Sequence, residues 1–268
     1  MTELAPAGAA RKSHLAFALM WLPRERRCDA LVFFRFCRAV DDIADEPWRC
    51  EEEKRRLLQE WLDGIERKVL PAELEAVVAR YGIDRNLLAE IVRGCAMDIR
   101  PERFETFAEL EKYCWRVACA VGLVSIRIFG CEDPASVAYA ENLGHALQLT
   151  NVLRDIGEDA AAGRIYLPLA DLRRFGVNEE DLLRGKTAPG FRELMRFEAG
   201  RARARFYAAI PPAADGRALL APEIMKATYL RILSRLEKQG FPVFARRIRL
   251  RRIEKFALAI GVWWRSRM

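Results

Sequence analysis

Histidine is scarce: only His14 and His145 occur in 268 residues. Two imidazoles so far apart in sequence suggest neither a zinc site nor a histidine-dependent triad. The seven cysteines, Cys28, Cys37, Cys50, Cys95, Cys114, Cys119 and Cys131, are odd in number and form no C-x-x-C pair. The reading is free, reduced thiols in a cytosolic chain. No glycine loop of the phosphate-cradling kind and no dinucleotide fingerprint is present. No run approaches the roughly 18 apolar residues of a membrane span. The opening stretch, MTELAPAGAARKSH, lacks the apolar region of a signal peptide. The expectation is a cytoplasmic protein, soluble or held at a surface. Strand signals are nearly absent as well, with no hairpin dipeptide between β-branched runs.

Apolar residues make up 51% of the chain, enough for a substantial core without staples. The net charge is +7, unevenly placed. From Lys226 onward twelve bases face two acids, whereas the first 225 residues are slightly acidic. Helical periodicity is widespread. A long helix is predicted after Pro23, through RERRCDALVFFRFCRAVDDIADE. Others follow in CEEEKRRLLQEWLDGIERKVL, PAELEAVVARYG and DRNLLAEIVRGCAMDI. FAELEKYCWRVACAVGLVSIRIFG and SVAYAENLGHALQLTNVLRDIGEDAAAG are apolar almost all round, as central helices of a bundle should be. After Tyr166 come a short helix and loop, an outer helix in TAPGFRELMRFEAGRARARFYAAI, a turn at PPAADGRAL, and final helices from Pro222 into the basic tail. No linker or repeat divides the chain. One all-α domain covering 1–268 is expected, with residues 1–12 flexible.

CRAVDDIADEP, residues 37–47, places acids at the end of a strongly apolar helix. Asp41 and Asp45 are four apart and share one helix face. QLTNVLRDIGEDAAAGRIYLP repeats the spacing with Asp155 and Asp159, and Asn151 and Gln148 extend the polar stripe by two turns. Arg38 precedes Asp41 by three residues, and Arg154 directly precedes Asp155. Four carboxylates facing one cavity repel each other unless cations lie between them. Oxygen ligands with almost no histidine suit Mg²⁺, which binds through a few carboxylates plus substrate phosphates. The stripe therefore predicts a diphosphate bridged to the protein by metal, with arginines on the same oxygens. A single D-x-x-x-D is also what a solvated helix end presents; two, both on apolar helices, argue against that.

With these segments in view the chain resembles the squalene and phytoene synthase family, the head-to-head prenyltransferases, from about Leu15 to Arg249. LPRERR…FCRAVDDIADE and QLTNVLRDIGEDAAAGRIYLP look like its two signature motifs. YCWRVACAVGLVSIRIFG and YLRILSRLEKQGFPVFARRIRL are similar to its middle helix and closing segment. The resemblance implies an all-α bundle of the isoprenoid synthase type around a central apolar channel. It also implies joining of two prenyl diphosphates C1 to C1′ through a cyclopropyl intermediate. Asp41, Asp45, Asn151, Asp155 and Asp159 match positions that hold several Mg²⁺ ions and diphosphate. Arg38, Gln148, Arg154, Tyr166, Tyr229 and Arg246 match positions that contact diphosphate or help it leave. Ala118, Ala120, Gly122, Ser125, Gly144 and Ala146 could make room for prenyl chains or serve close helix packing.

Two positions and one dipeptide depart from the family pattern. Phe34 and Arg116 stand where tyrosine is usual, and His14-Leu15 replaces a common Ser-Phe. Arginine at 116 resembles the subgroup that stops at the cyclopropyl product, presqualene diphosphate, and a guanidinium cannot donate a proton as a phenol can. The expectation is therefore two farnesyl diphosphates joined to presqualene diphosphate without NADPH, the substrate diphosphate at 116 being held in place. Phytoene, dehydrosqualene or squalene formation is the alternative. The tail, FARRIRLRRIEKFALAIGVWWRSRM, mixes arginines with aromatics. Such a helix can lie on an anionic membrane surface, at the inner face, or pack its aromatics on the bundle with arginines in water. Downstream isoprenoid enzymes are conceivable partners. Nucleic acid is not expected, because the acidic pairs would repel phosphodiester unless metal intervened.

Overall fold

The structure, a computed structural model, describes residues 3–5, 18–100 and 102–266. His14, Leu15 and most of the segment expected to be flexible lie outside the described residues. Among the described residues there is no strand, and helices carry the fold. They are α1 (Arg24–Asp45), α2 (Glu51–Glu66), α3 (Ala72–Tyr81), α4 (Arg85–Met97), α5 (Phe107–Cys114), α6 (Ala120–Phe129) and α7 (Ala135–Ala161). After them come α8 (Leu169–Arg174), α9 (Glu179–Leu183), α10 (Phe191–Ala208), α11 (Leu220–Lys238) and α12 (Arg252–Arg265).

Local chemistry explains the boundaries. Pro23 precedes the first turn of α1, and the chain turns extended at Glu46 before Pro47, where a helix cannot continue. Asp84 caps α4 by accepting from the Asn86 amide, and Thr106 caps α5 by accepting from Glu109. Gly82 closes α3 in the left-handed conformation. Between α5 and α6 the helix does not break. Residues Trp115–Cys119 form a π turn, with the Ala120 amide donating to the Trp115 carbonyl five residues back.

α7 is buried around most of its circumference, from Tyr139 and Leu143 to Val152 and Ile156. The π turn, α6, α10 and α11 pack around it. One apolar cluster joins α5, α7, α10 and α11, and a second joins α1 to α4 with α12. α6 contributes Ile126 to the first and Val124 and Ile128 to the second. Phe36 of α1 meets Trp61 of α2 edge to face at 5.1 Å, the kind of ring contact that fixes a helix crossing.

The final helices differ from the sequence expectation. α11 stops at Lys238, and residues 239–251 run without regular structure before α12 begins. Gly240 and Phe241 both take positive φ, 68° and 57°, and Pro242 follows, so the helical pattern cannot be continued. No described helix is long and apolar enough to cross a membrane.

Candidate active site

An apolar cavity lies between α1, the π turn, α6, α7 and α11. α7 lines it from Tyr139 to Asn151, about 18 Å at the α-helical rise. The π turn and α6 add Val117, Ala118, Val121 and Ile126, and α1 adds Phe34. α11 runs from Ala221 and Pro222 at the distal end to Tyr229 at the other. The cavity turns polar where Gln148, Asn151 and Tyr229 line it. Gly144 and Gly122 serve packing as well as room. A Cβ on Gly144 would stand 2.8 Å from the Cys119 Cα, and one on Gly122 would stand 3.2 Å from the Ala140 carbonyl oxygen.

The acidic pairs sit beyond that polar end, because each stripe continues along its own helix. Phe34, Arg38, Asp41 and Asp45 are spaced by three or four residues on α1. Gln148, Asn151, Asp155 and Asp159 are spaced likewise on α7. Arg164, just past α7, crosses to α1 and pairs with Asp45 at 2.8 Å, tying the two motifs together. Asp98, just past α4, lies between them. It accepts from the Tyr166 hydroxyl at 2.7 Å and from Tyr113 at 3.0 Å, and its charge is felt by both Asp41 and Asp159.

The electrostatics carry the mark of crowded acids. Burial, then the neighbouring Asp45 carboxylate, raises Asp41 to about 6 against the opposing pull of Arg38. Burial and Asp155 raise Asp159 to about 7. Asp98 is raised by burial although two tyrosines donate to it. Asp155 is held by two arginines. Arg154 clasps it bidentately at 2.7 and 2.5 Å while lying over the Tyr229 ring at 5.9 Å, and Arg247 reaches it at 2.7 Å. Arg38 is half exposed and divides itself between Asp41 at 2.9 Å and Asp42 at 2.6 Å. Asn151 donates to Gln148 at 3.2 Å, and its Oδ1 is buried with no partner.

Two expected residues are not brought to this place. Arg116 belongs to the π turn; its neighbours Val117 and Ala118 line the cavity, but its own side chain turns outward to Glu90 at 2.9 Å and to the Met97 sulfur at 3.5 Å. The extra residue in a π turn shifts the phase of the helix face, and a carboxylate on α4 receives the guanidinium. Arg246 donates to Gln239 at 2.9 Å on the surface, and the adjacent Arg247 approaches Asp155 and Glu158 instead. Gly157 explains that approach. The Val243 carbonyl lies 2.4 Å from where its Cβ would be, so the 241–250 strap rests on the bare backbone between Asp155 and Asp159. Three residues that sequence reasoning missed, Asp98, Arg164 and Arg247, thus join the cluster. Arg164 lay within the second motif, and Asp98 showed the same signal as Asp41, an acid ending an apolar helix.

The profile of the squalene/phytoene synthase family matches residues 9–254. This chain belongs to that family. A presqualene diphosphate synthase of Rhodopseudomonas palustris is 35% identical over 94% of this chain and 94% of its own. A phytoene synthase of Arthrospira platensis is 35% identical over 84% of this chain and 80% of its own. Among solved structures, a dehydrosqualene synthase superposes with a TM-score of 0.84 at 26% identity, covering 97% of this chain and 95% of that one. The squalene synthase HpnC of Alicyclobacillus acidocaldarius gives 0.76 at 25%, covering 88% and 94%. The fold is therefore the isoprenoid synthase bundle, and the family member described here is a head-to-head prenyltransferase.

Its donors suit a hard divalent cation. They are oxygens throughout, two carboxylates are raised by burial and then by neighbouring negative charge, and the Asn151 oxygen is buried without a partner. Among the described residues no three histidine, cysteine or acidic side chains close a cage by themselves.

Proposed function

We propose that this prenyltransferase joins two farnesyl diphosphates head to head and releases presqualene diphosphate. The observation that carries the reading is the buried, unpartnered Oδ1 of Asn151 at the polar end of an otherwise apolar cavity, below acids from two helices. In this reading Asp41, Asp45, Asn151, Asp155 and Asp159 hold Mg²⁺ and Arg38, Arg154, Gln148, Tyr166 and Tyr229 face the diphosphates. Mg²⁺ held by these residues would supply positive charge to stabilise a departing diphosphate. The protein's own part is orientation and exclusion of water. Arg154, buried under Tyr229, fixes Asp155, and the walls from Val117 to Leu147 keep water from the carbocation. A fifteen-carbon chain buried at about 0.8 kcal/mol per carbon supplies on the order of 10 kcal/mol for positioning.

Release at the cyclopropyl stage is supported by the two positions where the resemblance leads one to expect tyrosine. Phe34 lines the cavity without a hydroxyl, and Arg116, at the other, faces Glu90 outside it. A reductant is not needed for such a product. The 35% identity to a phytoene synthase keeps hydrocarbon formation as the second reading. A cytoplasmic setting is part of the proposal, supported by seven unpaired cysteines of which Cys28 and Cys50 are exposed.

Incubation with farnesyl diphosphate and Mg²⁺, then dephosphorylation and mass analysis, tests the product. Presqualene alcohol is expected. Squalene or dehydrosqualene from farnesyl diphosphate, or phytoene from geranylgeranyl diphosphate alone, would overturn it. Thermal shift with Mg²⁺ and farnesyl thiodiphosphate tests the site separately. Stabilisation should need both components and vanish in Asp155→Ala.

A further inference from the structure

α12 presents a buried apolar face and an exposed one. Its inner face, Ala259 and Val262, is buried in the cluster that also holds Ala18, Leu22, Ala221 and Ile224. Its outer face carries Ile253, Phe256, Ile260 and Trp264, at 82, 52, 46 and 59% exposure. These residues recur every three or four positions and form one stripe along the helix. Isolated exposed hydrophobes are ordinary, whereas contiguous exposed apolar surface marks an interaction site.

The tail's two sequence readings are both realised, on different aromatics. Trp263 packs on Trp21 at 6.4 Å, whereas Trp264 faces outward. Charge selects the occupant. Arg249, Arg251, Arg252 and Arg265 are exposed around the stripe, and the only acid of α12, Glu254, is already engaged by Arg235. A surface that is apolar along its crest and basic at its flanks matches an anionic bilayer, where rings and branched chains enter the acyl boundary and guanidiniums meet phosphate.

The orientation of α12 gives the contact a purpose. Its start is tied through Glu254 to Arg235 near the end of α11, and its end lies with Trp21. α12 therefore runs antiparallel to α11, and Trp264 stands at the Ala221–Pro222 end, where the cavity is apolar and farthest from the acids. We propose that the outer face of α12 docks on an anionic membrane surface, bringing the distal end of the cavity to the bilayer. Docking itself is independent of which product the site makes, so the two can fail separately.

The full chain is tested by co-sedimentation with phosphatidylcholine vesicles and with vesicles containing phosphatidylglycerol, at low and at 0.5 M NaCl. Pelleting is expected with phosphatidylglycerol and is expected to fall with salt. The exposed-site variant Ile260→Ser/Trp264→Ser should lower partitioning at least tenfold with an unchanged melting temperature. Brominated lipid should quench tryptophan fluorescence in the full chain and much less in Trp264→Phe, which should still bind. A chain that stays in the supernatant, or a double variant that pellets as well as the parent, overturns the proposal. So does a concentration-dependent dimer abolished by the double variant, which would give the stripe to a second copy.

Discussion

Asp41 near 6 and Asp159 near 7 ionise in a range where ordinary aspartates are long since charged. Both are raised in the folded chain, so the neutral form is favoured there. Their contribution to stability is complete below about pH 4, the value of an unfolded aspartate, and is lost as pH rises through 6 and 7. In EDTA the melting temperature should therefore fall between about pH 4 and 7. Mg²⁺ with farnesyl thiodiphosphate should remove most of that fall. Glu198, raised to about 7 by burial, adds to the slope, and Asp41→Asn/Asp159→Asn separates the two sources. An undiminished slope in that variant would place the effect elsewhere. Asp98 makes the companion case. Asp98→Asn keeps the shape that Tyr113 and Tyr166 pack against but removes the charge between the motifs. It should cost about 10–100-fold in kcat/KM, the range for groups that orient ligands, with little change in melting. The two acidic pairs were legible in the sequence because a helix face can be counted. Asp98 carried the same local signal, an acid closing an apolar helix, but its partners come from α5 and from the segment after α7, so no local spacing joins it to the two pairs.

At the scale of elements, the helices were legible and their irregularities were not. Apolar periodicity located α1, α3, α4 and α7, with Gly82 marking the end of α3 and Asp84 the start of α4. Nothing in CWRVAC distinguishes a π turn from the α-helix on either side, so the direction of Arg116 could not be read. The same holds for Arg246 and Arg247. Once Gly240, Phe241 and Pro242 end α11, no periodicity says which arginine faces inward. The strap they sit on depends on Gly157, and this gives a sharp test. Gly157→Ala places a methyl against the Val243 carbonyl and must lift the strap or bend α7. A loss of about 1–3 kcal/mol in urea unfolding is expected, as for other overpacked contacts. Activity should fall as well, because Arg247 rides on the strap and would be drawn away from Asp155. A variant as stable and active as the parent would show that the strap does not bear on the helix.

At the scale of the molecule, three of the helices that line the cavity change character in the same direction. α1 passes from Phe34 to Asp45, α7 from Tyr139 to Asp159, and α11 from Ala221 to Tyr229. A ligand with a charged head and an apolar chain has one orientation in such a field, head toward Asn151 and chain toward Ala221. The depth of the apolar part should then set how much of the chain is felt. Ala221 is 2% exposed, and its replacement by phenylalanine fills the distal end without touching the acids. Farnesyl exceeds geranyl by five carbons, worth on the order of 4 kcal/mol if all are buried. In Ala221→Phe the preference for farnesyl over geranyl diphosphate, measured as the ratio of kcat/KM values, should shrink at least tenfold. A ratio is the right readout because partial misfolding lowers both activities equally and leaves it unchanged. If the ratio stays at the parental value, the last isoprene unit does not reach Ala221, and the chain leaves the α7–α11 groove before its apolar end.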